Sequence, residues 1–253
     1  MNGPGWQARI HRAQQLARTG TTAASVLTCY AEILTFQSSV YEAVRAFGAE
    51  GLDQLIPHLH TLLARIPKIA TPELAQAADL LLLAKKSWRP LLQRVMARQD
   101  VDAVSPADLF FAYTVLQPYT EFFSERNSVQ SQYADPVCPY CGNKPVLSVL
   151  RPEGDGGRRS LVCFLCGIEW AYRRILCPSC GEEDKEKLPV ISAAEFDYIR
   201  IEASKTCHTY VKAVDMTKNG LAVPQVDELA AMSLDLWASE NGYTKLQLNL
   251  FGV

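Results

Sequence analysis

No uninterrupted apolar run in this chain approaches the ~20 residues of a bilayer-spanning helix; the strongest, residues 77–84, is interrupted by Asp79. The amino-terminal stretch, residues 1–20, carries Arg9, Arg12 and Arg18 in a helical pattern. It lacks the apolar block and small-residue cleavage site of a secretory signal, so the expectation is a soluble, cytoplasmic protein. An excess of charge of one sign is also missing. With 25 Lys and Arg against 27 Asp and Glu, the formal charge of -2 gives no general attraction to nucleic acid or to an anionic membrane. The chain has no Gly-rich phosphate loop, no nucleophile elbow and no helix-borne metalloprotease motif. His11, His58 and His60 stand without cysteine or acidic companions at ligand spacing. No ordinary enzyme active site is therefore expected. Low-complexity tails are absent too, and 48% hydrophobic with 21% charged residues is the composition of a globular protein.

What the chain does have is paired cysteine. Seven of its eight cysteines fall in Cys138-Pro-Tyr-Cys141-Gly, Cys163-Phe-Leu-Cys166-Gly, Cys177-Pro-Ser-Cys180-Gly and a lone Cys207 followed by His208. Two thiolates three positions apart grip one edge of a tetrahedral ion, and a second such turn completes the shell. Gly142, Gly167 and Gly181 follow their pairs where the backbone must turn sharply, and His208 takes that place after Cys207. The pattern predicts a duplicated unit. Cys138, Cys141, Cys163 and Cys166 would bind one ion, and Cys177, Cys180 and Cys207 would form a second site that is one sulfur short. Ser204 stands where the missing thiol belongs, so His208, Ser204, a water or nothing completes it. Which turns meet is left open, a nested or crossed pairing included. Zinc or iron suits such donors, giving one to two ions per chain.

The fold class expected is α+β and multidomain. Residues 1–135 read as an all-helical bundle, with apolar stripes through Val26, Tyr30, Ile33 and Leu34 and through Leu52, Leu55, Ile56, Leu59, Leu62 and Leu63. Thr71-Pro72 and Ser105-Pro106 are start signals, whereas Pro90 and Pro118 should end or kink the helices approaching them. From residue 136 glycine and proline become frequent and short β-branched runs appear. Residues 136–253 read as tandem rubredoxin-like or zinc-ribbon metal subdomains, about 136–175 and 176–215, with one closing helix over about 225–241. A hairpin is expected around residues 154–157, with strands at 168–175, 198–202 and 209–214.

Two other chemistries use similar motifs. Thiol redox enzymes carry one Cys-x-x-Cys opening a helix, whereas this chain has three with glycine after each. A nucleic-acid-binding ribbon could use Arg158, Arg159, Arg173 and Arg174, but residues 136–253 hold 13 basic and 15 acidic side chains. Cys29 reads as a buried small hydrophobe, and Trp170, Tyr172 and Trp237 as packing anchors.

At Cys138-Pro-Tyr-Cys141-Gly-Asn-Lys-Pro-Val, Cys163-Phe-Leu-Cys166-Gly-Ile-Glu-Trp170, Arg173, Cys177-Pro-Ser-Cys180-Gly and Cys207-His-Thr-Tyr-Val-Lys212 the chain resembles the FdhE family of formate dehydrogenase accessory proteins. Asp227-Glu-Leu-Ala230 through Gly242-Tyr243 and Asn249-Leu-Phe-Gly252 are similar to that family's closing segment, and Leu116-Gln-Pro-Tyr119 is a local echo. The resemblance implies a helical domain joined to two rubredoxin-like subdomains. It implies a non-enzymatic cytoplasmic chaperone whose partner is the catalytic subunit of a respiratory formate dehydrogenase before export. Neither a nucleic-acid partner nor membrane insertion is implied. A thiol or iron redox protein using the incomplete second site is the alternative. Oligomeric state, a homodimer included, is not legible. Ser204 is a departure, because the family usually has the first cysteine of a fourth pair there and a glycine at the position of His208.

Overall fold

The computed structural model describes residues 5–48, 51–84, 87–127 and 133–253. Among these residues six α-helices come first: α1 (Trp6–Ala17), α2 (Ala24–Phe47), α3 (Ile56–Arg65), α4 (Pro72–Leu83), α5 (Trp88–Met96) and α6 (Pro106–Ser124). Their local signals are physical. The hydroxyl of Ser105 accepts from the Asp108 amide at 3.1 Å, with Pro106 already holding a helical φ, so α6 starts there. Gly48 closes α2 at φ 60°, a left-handed conformation that costs glycine little. Leu55, Leu59, Leu62 and Leu63 are all fully buried, as their spacing requires.

Two prolines behave differently from expectation. Pro90 lies in the first turn of α5, where the missing amide hydrogen has no intrahelical acceptor anyway. Pro118 lies inside α6, which continues past it to Ser124. The orphaned Thr114 carbonyl, four residues back, instead accepts from Gln37 Nε2 of α2 at 3.0 Å. A buried cross-helix amide thus supplies the hydrogen bond that proline removes, and the helix survives.

The second half is built on one sheet. Strands β1 (Pro145–Glu153), β2 (Gly156–Cys163), β3 (Glu169–Ala171), β4 (Val190–Ala193), β5 (Phe196–Ala203) and β6 (Thr209–Asp215) lie in the order β3-β2-β1-β6-β5-β4, with β7 (Thr244–Lys245) parallel to β6. The β1–β2 hairpin turns at Gly154 and Asp155, inside the expected segment. Each metal unit contributes an antiparallel set of strands, and the two sets are joined by parallel pairing of β1 with β6. The strand expected over 168–175 is confined to β3, and β4 carries no clear periodic signal.

Helices α7 (Pro224–Ala230) and α8 (Met232–Glu240) replace the single closing helix. The break is at Ala231, with ψ 37°, where the fully buried Lys212 Nζ donates to the Glu228 and Ala231 carbonyls at 2.5 and 3.3 Å. Strand alternation puts Lys212 and its neighbour Ile201 on the face covered by these helices, and Glu202 and Val211 on the opposite face. Among the described residues no helix is long and apolar enough to cross a membrane.

Candidate metal centres

The cysteine turns share one backbone design. In each, the amide two residues after the first ligand donates to its sulfur: Tyr140 to Cys138, Leu165 to Cys163 and Ser179 to Cys177, all at 3.4 Å. Gly142, Gly167 and Gly181 follow at φ 68°, 68° and 74°, and the first ligand's amide donates to the carbonyl just past the glycine. Such turns hold sulfur by geometry before any ion arrives.

Residues 204–207 form a fourth turn of the same kind. Thr206 N–H donates to Ser204 Oγ at 3.3 Å, His208 N–H to the Ser204 carbonyl at 2.9 Å, and Ser204 N–H to the Thr209 carbonyl at 2.9 Å. His208 adopts φ 54°, strained for a residue with a Cβ, because it occupies the glycine position.

The structure resolves which turns meet. Cys138 Sγ lies 3.4 Å from Cys166 Sγ, and Cys141 Sγ lies 3.4 Å from Cys163 Sγ and 3.6 Å from Cys166 Sγ. All four sulfurs fall within 4.8 Å of one another, and the thiols are free. A tetrahedron of sulfurs ~2.3 Å from a zinc-sized ion has edges of about 3.8 Å, so the cluster fits a cation at its centre with slight expansion. Without one, the thiols constrain each other. Hydrogen bonds from Cys138, Cys163 and Cys166 hold the Cys141 thiol low, while contact with Cys138, Cys141 and Cys163, and then burial, pushes Cys166 up.

In the second cluster Cys177, Cys180 and Cys207 converge, with Cys177 Sγ 3.8 Å from Cys207 Sγ. Ser204 Oγ is fully buried and 3.6 Å from Cys180 Sγ, at the fourth vertex. His208 is not in the converging set; its ring lies 6.1 Å from that of Tyr243. Of the sequence-selected ligands, seven cysteines thus gather into two clusters, each with a donor set suited to a thiophilic ion.

Sequence reasoning missed the seat of the first cluster. Gln117 Nε2, Thr120 Oγ1 and Ser124 Oγ, on one face of α6, donate to the successive carbonyls of Phe164, Leu165 and Cys166 at 3.1, 2.9 and 3.1 Å. Tyr113 adds an edge-on contact with Phe164 at 4.7 Å. The available signal was polar residues at helical spacing in an otherwise apolar helix. Beside them Glu121 accepts both terminal nitrogens of Arg9 at 2.8 and 2.9 Å, in a buried pair that fastens α1 to α6. Arg98 donates to the Gly142 carbonyl, and its guanidinium covers the space a Cβ at Gly142 would need.

Most of the remaining candidates have packing roles, but Trp237, expected as an anchor, is exposed. Trp170 is buried and donates to the Asp135 carbonyl at 3.0 Å, Tyr172 lies under Arg159, and Cys29 is partly buried, its thiol pushed up to about 11 by burial. Arg159 pairs with Glu202 and Arg173 with Glu183.

Comparison with known proteins agrees with this architecture. Family models described as FdhE, central domain, and FdhE, C-terminal domain, match residues 137–174 and 175–251. A protein FdhE homolog of Aquifex aeolicus is 32% identical over 203 residues, covering 79% of this chain and 71% of that protein. One of Haemophilus influenzae is 27% identical over 198 residues, covering 77% and 65%. The chain therefore spans about two thirds of the length of these relatives. The crystal structure of the FdhE protein from Pseudomonas aeruginosa matches with a TM-score of 0.76 at 25% identity, over 99% of this chain and 97% of that one.

Proposed function

Because the chain belongs to the FdhE family, we propose that it is a cytoplasmic accessory protein that assists maturation of the catalytic subunit of a formate dehydrogenase. The observation that carries this reading is the seating of two sulfur clusters on one continuous sheet, the first locked to α6 by three hydrogen bonds. Small ribbons lack enough core to stand alone, and a bound ion supplies folding free energy. In this reading Cys138, Cys141, Cys163 and Cys166 hold one structural zinc or iron ion. Cys177, Cys180 and Cys207 hold a second, with Ser204 at the open vertex. The ions make the sheet a rigid platform for a client polypeptide rather than a reaction centre.

Capture of the formate dehydrogenase catalytic subunit by the tagged chain, with loss of mature formate dehydrogenase on deletion and its recovery on complementation, is the expected result. No capture, together with unchanged maturation, refutes the proposal.

A second reading, a thiol or iron redox protein, rests on the exposure of Cys180 within the three-sulfur cluster. It requires a coloured iron form that bleaches reversibly with reductant and whose spectrum changes in Cys207→Ala. A colourless zinc form with full maturation activity removes it.

A further inference from the structure

A cavity of about 510 Å³ opens beside the second cluster, on the sheet face opposite α7 and α8. Four cations line it, Arg159, Arg174, Lys185 and Arg200, against one carboxylate, Glu202, in a chain whose formal charge is -2. Glu202 is already committed. Its carboxylate accepts from Arg159 Nε at 2.8 Å, Ser148 Oγ at 3.0 Å and Arg200 Nη2 at 3.2 Å. Arg159 is itself buried and donates from Nη1 to the Arg173 carbonyl at 2.9 Å and the Leu176 carbonyl at 3.3 Å, fixing the linker that forms one wall. Arg174 and Lys185 are exposed at the mouth and form no ion pair among the described residues. The recessed cations are compensated, Arg159 by Glu202 and Arg200 by Glu202 and by Asp215 at 3.4 Å, so the charge open to a ligand is that of Arg174 and Lys185 at the mouth.

The walls between these cations are apolar. Ile175 and Val190 remain 49% and 58% exposed at the rim, with Leu188 deeper. Val190 begins β4, which ends the strand order with β5 as its one strand partner among the described residues. Val190 also pairs with Glu202, so its side chain shares the cavity face. An extended segment laid along the open edge of β4 would place alternate side chains over this face, about 6.7 Å apart. Those side chains would reach Ile175 and Leu188 on one hand and Arg174 and Lys185 on the other.

We propose that this cavity and the free edge of β4 form a docking site for an extended acidic segment of the client polypeptide, with an apolar side chain in the cavity and neighbouring carboxylates on Arg174 and Lys185. The assignment rests on the accessory-protein reading above. It specifies where and by what chemistry the client is held.

The test uses the full metal-loaded chain. Overlapping synthetic peptides spanning the formate dehydrogenase catalytic subunit are titrated against it by fluorescence anisotropy at low and high salt, alongside capture of the intact subunit. Bound peptides are expected to carry Asp or Glu flanking Leu, Ile or Val, and to bind more weakly as salt rises. Arg174→Glu with Lys185→Glu should weaken them about tenfold, as should Val190→Asp. Both positions of the double variant are exposed, so unchanged metal content and circular dichroism show that it is folded. Full-strength peptide binding by the folded double variant, preference for arginine-rich peptides, or capture of the intact subunit with no peptide bound overturns the docking site while leaving the accessory role standing. Failure to capture the intact subunit removes both.

Discussion

Replacing Glu228 with Gln removes one charge from a buried cluster of two carboxylates and two ammonium groups. Glu228 is 1% exposed and sits between Lys212, which is fully buried with its Nζ 2.9 Å from Oε1, and Lys245, which donates to the same oxygen. Asp235 completes the set with Lys212 at 2.5 Å and Lys245 at 3.1 Å. Burial alone would push the Glu228 carboxyl up, but the two ammonium groups outweigh it and bring it down to about 2. Against an unfolded value near 4.3, that depression corresponds to about 3 kcal/mol of stability, and removing one partner of a buried pair costs about 3–5 kcal/mol. Because the folded value lies below the unfolded one, the contribution is fully present above about pH 5 and is lost as pH falls through about 2. Glu228→Gln should therefore unfold at a temperature lower by on the order of 10 °C at neutral pH. The gap from wild type, read by urea denaturation, should stay flat above pH ~5 and narrow below it. A variant within about 0.5 kcal/mol of wild type at neutral pH would refute this account of how β6, β7 and α7 are joined.

Three further outcomes follow from the same geometry. Arg9→Ala leaves the buried Glu121 carboxyl without its partner and should cost about 3–5 kcal/mol, much of it recovered in Arg9→Ala with Glu121→Ala; additive losses in a double-mutant cycle would contradict the coupling. Ser204→Cys places a fourth sulfur at the vertex of Ser204 Oγ, so an ion loaded into the second cluster should resist chelator measurably longer than in wild type, and equal loss rates would show that Ser204 does not limit the site. Burial would push the Cys207 thiol up, but hydrogen bonds from Thr209, Ser204 and Cys180 bring it to about 6. In metal-stripped protein its alkylation rate should fall as pH drops through about 6, and a midpoint near the ordinary 8.5 would contradict those contacts.

Ligand chemistry was legible in the sequence because a Cys-x-x-Cys-Gly turn is a local object: the spacing, the glycine and the sulfur hydrogen bonds lie within five residues. Ser204 and His208 could be located as departures for the same reason. The β1–β2 hairpin was legible from its glycines. What was hidden depends on distant partners. Pro118 reads as a helix breaker until Gln37, 77 residues from the freed Thr114 carbonyl, is seen donating to it. Lys212, Glu228, Asp235 and Lys245 look like surface charges in isolation, and only their convergence explains why the closing helix breaks at Ala231. The parallel pairing of β1 with β6 joins two units that the internal duplication presents as separate beads. Gln117, Thr120 and Ser124 went unremarked in the sequence, because their partners, the carbonyls of residues 164–166, lie more than forty residues away.

Quantifying metal in protein purified without added ions, together with X-ray absorption at that metal's edge, tests the central claim most directly. At least one zinc or iron ion per chain, ringed by four sulfurs at ~2.3 Å and lost in Cys141→Ala with Cys166→Ala, is the predicted result. A metal-free, folded chain whose four first-cluster thiols are freely alkylated or paired as disulfides would contradict it.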